Sequence, residues 1–292
     1  MNGTSFQSDI RYWLRQGNTV NHLLFWNIVV FLGLNILRLI AFLTKQPAPF
    51  IWTYDQLAMH MPPAAFILKP WGLITYMFTH VAVFHVLYNM INLYWFGNLF
   101  RDFLGNKRVL PLYLLGGIAG GLLYLLCGVI FPGYAGSTMV GASASIMCIL
   151  MAAATLMPNY EIGLLFIGGV KLKWLAIALI VLGLISIPDG NIGGIVSHLG
   201  GVLLGFLYVR TLQAGTDLCQ PLIWLFDASN WRRPKQSNRK FKPKKSPLKV
   251  VKKADDSNPS RLDQLLDKIN EKGYNSLSAE EKAWLDKVSK EN

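Results

Sequence analysis

Charge and cysteine are both scarce in this chain of 292 residues. Only 15% of its residues are charged, against about 25% in ordinary soluble domains, while 52% are hydrophobic. That balance excludes a typical soluble enzyme and indicates a membrane protein. The three cysteines, Cys127, Cys148 and Cys219, lie in or beside apolar stretches without CxxC spacing. A disulfide framework or zinc cluster is therefore not expected, and they read as small core residues. The pattern HExxH is absent, and no long apolar run contains Asp or Glu. These absences argue against an intramembrane zinc or aspartyl protease, a Ser-His-Asp triad and a carboxylate-based proton-coupled transporter. No cofactor and no metal are expected.

What is present is a series of apolar runs. Hydropathy predicts six spans at roughly 23–43, 73–96, 109–131, 140–157, 172–187 and 193–211, most near the approximately 20 residues that cross a bilayer. The expected fold class is thus an all-α membrane protein with six transmembrane helices over residues 23–211. Residues 1–22 form a polar tail, and the first apolar run is expected to stay as a span rather than to be cleaved as a signal peptide. Residues 212–231 read as a possible interfacial segment, residues 232–259 as a basic, disordered linker, and residues 260–292 as a small helical segment.

The net charge of +12 is concentrated. Residues 232–253 hold eleven Lys/Arg and no Asp/Glu. A basic block directly after a membrane domain suits anionic lipid headgroups, so membrane lipids are the expected partner and nucleic acid is not. In the short loops, Arg11, Arg15, Arg101, Lys107, Arg108, Lys171, Lys173 and Arg210 fall on one side, and Arg38, Lys45 and Lys69 on the other. The positive-inside rule then places both termini of this multi-pass protein in the cytoplasm.

In that orientation the second, fourth and sixth spans all begin at the outer face and carry polar residues a few positions in. The second holds His80, His85, Asn89 and Asn92, a costly density of polar groups for hydrocarbon. His85 and Asn89, four apart, share a helical face, whereas His80 and His85, five apart on one continuous helix, would diverge by about 140°. The fourth opens on Gly141-Ala142-Ser143, and the sixth holds Ser197-His198-Leu199-Gly200-Gly201 followed by Gly205. Gly201 and Gly205 form a small-xxx-small pair that lets another backbone approach. Ser143 and His198 have the chemistry of a nucleophile and general base. Asn89, His85 and the Ser143 backbone N–H could stabilise an oxyanion.

Across residues 23–211 these motifs together resemble the rhomboid family of intramembrane serine proteases, bacterial type. The resemblance rests on Trp71 with Thr75, on His80, His85 and Asn89, on Gly141-Ala142-Ser143, and on Ser197 to Gly201 with Gly205. It implies a six-helix rhomboid fold in the bacterial inner (plasma) membrane and cleavage of single-span or other transmembrane protein substrates near the outer end of their helix. It further implies that Ser143 is the nucleophile, His198 the base, and His85 and Asn89 oxyanion groups. His80, Gly141, Gly201 and Gly205 would be structural, His80 by holding the first long loop.

Several positions depart from the family pattern, among them Arg101 and Asp102, which replace the acidic and basic residues expected after the second span. Ala144 stands where a glycine usually follows the nucleophile, Met147 where an aromatic usually supports the histidine, and Gly72 where an arginine usually follows Trp71. The alternative reading is a catalytically inactive rhomboid-like protein that binds membrane clients. In the last segment, Leu262, Leu265, Leu266 and Ile269 form an apolar stripe and Gly273 ends a helix. Ser278 to Glu281 resembles a capping box ahead of Trp284.

Overall fold

A computed structural model describes residues 6–15, 17–132, 137–164, 168–185, 192–227 and 261–291. Residues 188–191, Trp231 and the linker 232–259 with its basic block lie outside the described residues. The chain divides into two units, residues 1–233 and 234–292.

In the first unit α1 (Phe6–Arg15) precedes α2 (Thr19–Thr44), which Asn18 caps by accepting the Val20 N–H. The first loop holds α3 (Ala48–Leu57), β1 (Met59–His60) and α4 (Pro63–Leu68). Next come a short α5 (Gly72–Thr75) with a 3-10 turn (Tyr76–Phe78), then α6 (Val83–Leu104), α7 (Val109–Ile130) and β2 (Thr138–Met139). The nucleophile candidate opens α8 (Ser143–Leu156), a β3–β4 hairpin (Glu161–Leu164, Gly168–Lys171) leads to α9 (Leu172–Ile185), and α10 (Ile192–Gln213) and α11 (Gln220–Phe226) follow.

Helices stand at all six expected spans, with one correction and one qualification. The expected second span is broken: Gly72–Phe78 and Val83–Leu104 meet at 91°, so His80 lies in the break and not on α6. By length and composition three described helices can cross a membrane, or four if the bent pair counts as one, while Ser143–Leu156 and Leu172–Leu182 are shorter apolar helices. The sequence pattern also did not predict the β3–β4 hairpin, in which Glu161 faces Lys171.

The bundle is built on close backbone approach around α8 and α10. A methyl at Gly201 would lie 2.1 Å from Ala144 O, one at Gly205 2.3 Å from Cys148 O, and one at Gly200 2.7 Å from Ala119 O on α7. The expected Gly201/Gly205 pair is therefore the contact line between α10 and α8. On α7, Gly116 and Gly120 face Cys148 and Ala144, while Gly117 and Gly121 receive Met77 and Leu73 from the broken segment. Cys148 and Cys219 are buried, as core residues should be, and Cys127 is half-buried.

Buried tyrosines hold the break. Tyr113 Oη donates to Met77 O at 2.7 Å and lies 3.3 Å from Asn27 Nδ2, and Tyr76 Oη donates to Gly117 O at 2.6 Å. Tyr113→Phe would take the hydroxyl donor away from the Met77 carbonyl, while the Asn27 amide keeps its bond to Leu23 O at 2.8 Å. We expect it to cost about 1–3 kcal/mol, read as a lower midpoint of heat- or SDS-induced unfolding.

The second unit contains α12 (Arg261–Lys272) and α13 (Ala279–Glu291). Gly273, at φ 77°, ends α12. The expected capping box forms: Glu281 N donates to Ser278 Oγ at 3.2 Å and Ser278 N to Glu281 Oε2 at 2.7 Å. Lys268 Nζ also reaches Glu281 Oε1 at 2.8 Å, and these contacts hold the Glu281 carboxyl below its usual range. Within the predicted stripe Leu265 is buried but Leu266 is about half exposed, at 48%.

Candidate active site

Ser143 is the first residue of α8 because the chain reaches it through Gly141, whose φ of +123° suits only glycine, and Ala142, the helical N-cap. The approach is fixed on three sides. Met59 and His60 pair antiparallel with Met139 and Thr138, Gly141 N donates to Tyr76 O at 2.8 Å, and Ala142 N donates to His80 Nε2 at 3.3 Å. His80, fully buried, thus holds the loop before Ser143 through this bond.

His198 comes from α10, and its Nε2 lies 2.7 Å from Ser143 Oγ. Residues 55 apart in sequence meet because Gly201 lets α10 rest on the backbone of α8 one residue beyond Ser143. The neighbouring Ser197 turns away and donates to Gly194 O at 2.7 Å. In the tautomer protonated on Nδ1, His198 Nε2 accepts the Ser143 hydroxyl. Nδ1 is buried without a hydrogen-bond partner among the described residues. Beside His198, Met147, Leu179, Ile180, Ile195 and Val202 line a small apolar crevice, so among the described residues packing rather than a carboxylate meets the imidazole there.

His85 also joins this cluster. Its ring centroid lies 5.0 Å from that of His80, edge to face, and a methyl at Gly141 would lie 2.7 Å from His85 Cε1. The divergence expected of His80 and His85 is corrected here: it assumed one continuous helix, and the break lets the rings meet. Asn89 stands one turn further along α6, buried, with Nδ2 donating to His85 O at 2.9 Å. Ser143, His198, His85, His80 and Gly141 are therefore brought together, whereas one amide hydrogen of Asn89 is committed to its own helix. Tyr76, whose carbonyl fixes Gly141, was missed, because a tyrosine within an apolar run carries no sequence signal of a backbone contact.

Two departures from the resemblance have local causes. A side chain at position 72 would start 2.9 Å from Ala58 O, which leaves no room for arginine without a shift of backbone. The Ala144 side chain is buried toward α7: a methyl built at Gly120 would lie 2.7 Å from Ala144 Cβ. Ala144 thus fills space that Gly120 leaves open. We expect Ala144→Gly to lower the unfolding midpoint slightly, through the helix propensity cost of glycine of about 1 kcal/mol, and to leave serine labelling unchanged.

A membrane protein with a serine and a histidine in hydrogen-bond contact at one end of a helical bundle fits one class closely. The rhomboid domain profile matches residues 68–214, and the chain belongs to the rhomboid family. A second profile, a family of unknown function (DUF6576), matches residues 256–291. Presenilin-associated rhomboid-like protein A, mitochondrial, of Danio rerio is 32% identical over 140 residues, which are 45% of this chain and 35% of that protein. RHOMBOID-like protein 12, mitochondrial, of Arabidopsis thaliana is 30% identical over 157 residues, 49% of this chain and 46% of its own length. The Bos taurus presenilin-associated rhomboid-like protein, mitochondrial, is 28% identical over 169 residues, 54% and 43% of the two chains. The chain thus spans less than half the length of these relatives.

Proposed function

We propose that this protein is an intramembrane serine endopeptidase that cuts transmembrane-anchored substrates near the outer end of their membrane helix. The observation that carries the reading is the 2.7 Å contact between Ser143 Oγ and His198 Nε2, and membership of the rhomboid family supports it. In the proposed cycle the Ser143 oxygen attacks the scissile carbonyl carbon while its proton passes to His198 Nε2. The resulting oxyanion is met by the backbone N–H groups that open α8, by the His85 imidazole and by the second amide hydrogen of Asn89. His198 returns the proton to the leaving amine, and a water activated by the same nitrogen then hydrolyses the acyl-enzyme. No carboxylate acts as a third member beside Ser143 and His198 in this cycle, and His80 serves by holding Ala142.

The proposed setting is a membrane crossed six times, with both termini cytoplasmic and the basic block 232–253 at anionic headgroups; the bacterial inner membrane that the resemblance implied conflicts with the mitochondrial relatives and is not proposed. The relatives' names place those proteins in mitochondria, so the orientation is tested on the chain itself. In a cysteine-free background in intact cells, Lys45→Cys should react with a membrane-impermeant maleimide, while Lys107→Cys should react only after lysis. The activity is tested with the purified chain in liposomes and a single-span reporter. We expect one cut near the outer end of the reporter helix and a covalent adduct with a serine-reactive fluorophosphonate. Absence of both would falsify the reading.

A further inference from the structure

The end of α3 is unusually well tied down. The last carbonyls of a helix lack partners within it, yet three successive ones here are met by side chains from other segments. His60 Nε2 reaches Asp55 O at 2.9 Å, Trp71 Nε1 donates to Gln56 O at 2.9 Å, and Thr75 Oγ1 donates to Leu57 O at 2.8 Å. Asp55 itself carries the wrong sign of charge for a helix C-terminus. Two groups offset it: Lys69 Nζ, in direct contact with Asp55 Oδ2, and His60 Nε2, 3.3 Å from Asp55 Oδ1. Asp55 therefore joins His60, the last residue of β1, to Lys69, which caps α4.

This cluster is connected to the site through backbone. His60 is in register with Thr138, Met59 with Met139, and Met61 N donates to Ser137 O at 3.3 Å. The strand so held runs directly into Gly141, Ala142 and Ser143. We propose that Asp55 is a positioning residue for Ser143. By drawing His60 and Lys69 together it fixes β1, and β1 fixes the strand from which the nucleophile is presented. The inference rests on the protease reading given above and adds to it a residue at the far end of the first loop.

The test uses the full chain in liposomes, with fluorophosphonate labelling rate and reporter turnover as readouts. Asp55→Ala and the isosteric Asp55→Asn should each slow labelling by roughly ten-fold or more, within the scale that small misplacement of a reacting group produces. They should lower kcat and leave KM unchanged. The control is a disulfide between His60→Cys and Thr138→Cys: registered partners on antiparallel strands lie about 4.5–5.5 Å apart at Cα, inside the range a disulfide spans. Once oxidised, this link does the work assigned to Asp55, so adding Asp55→Ala should leave labelling unchanged, and reduction should restore the defect. Equal labelling of wild type and both Asp55 variants would overturn the proposal while leaving the protease reading intact. So would an undiminished Asp55→Ala defect in the oxidised protein, since Asp55 would then act by another route. If the wild type neither labels nor cleaves, the protease reading and this inference fall together.

Discussion

Ser143→Ala is expected to abolish reporter cleavage, with a loss on the order of 10⁴-fold or more, about 5.5 kcal/mol of transition-state stabilisation, and to prevent fluorophosphonate labelling. His198→Ala should do nearly as much, because the hydroxyl is a poor nucleophile unless a base takes its proton. The double variant should be scarcely worse than either single one. Residues joined by a 2.7 Å hydrogen bond and acting in one step lose their function together. Additive losses would mean that the contact is only structural. Cleavage persisting in Ser143→Ala would remove Ser143 as nucleophile outright. Both variants should keep the wild-type unfolding midpoint to within about 1 kcal/mol, since each leaves the glycine contacts of the bundle in place.

Gly201 offers the second large effect, of a different kind. Its missing side chain leaves the space in which the Ala144 carbonyl sits, and a methyl there would lie 2.1 Å from that oxygen. The obstacle is backbone, so no rotamer change relieves it, and α10 must move away from α8. Gly201→Ala should therefore cost at least the roughly 1–3 kcal/mol typical of overpacking and should also separate His198 from Ser143. The expected result is a lower unfolding midpoint together with lost labelling. Gly33→Ala on α2 is the control, because nothing lies within 4 Å of the added methyl. It should be neutral or slightly stabilising, as replacing an unconstrained helical glycine usually is.

The features that were legible in the sequence are those whose cause is local. Apolar runs form helices because a backbone in lipid must satisfy its own hydrogen bonds. Ser143, His198 and Gly201 were legible because polar or very small residues in such runs need a reason. The break before α6 was not legible. Thr79 to Ala82 contains neither proline nor glycine, and the turn is held by distant partners: Tyr76 O receives Gly141 N, and His80 receives Ala142 N. The meeting of His80 with His85 and the commitment of Asn89 to His85 O follow from that break or from side-chain geometry, which spacing alone does not reveal. The role of Asp55 was hidden for the same reason, since its partners Lys69 and His60 gain meaning only through the β1–β2 pair.

The shortness of α8 has a consequence for what surrounds it. Its 14 residues rise about 21 Å, well under the roughly 30 Å of a typical hydrocarbon core. Most of its side chains are buried among neighbouring helices, whereas α7 and α10, with 22 residues each, rise about 33 Å. The longer helices can therefore carry the contact with lipid, and the central one is free to stop short. The irregular backbone from Val140 to Ala142 that leads into Ser143 is tolerated at membrane depth because protein, not hydrocarbon, covers it.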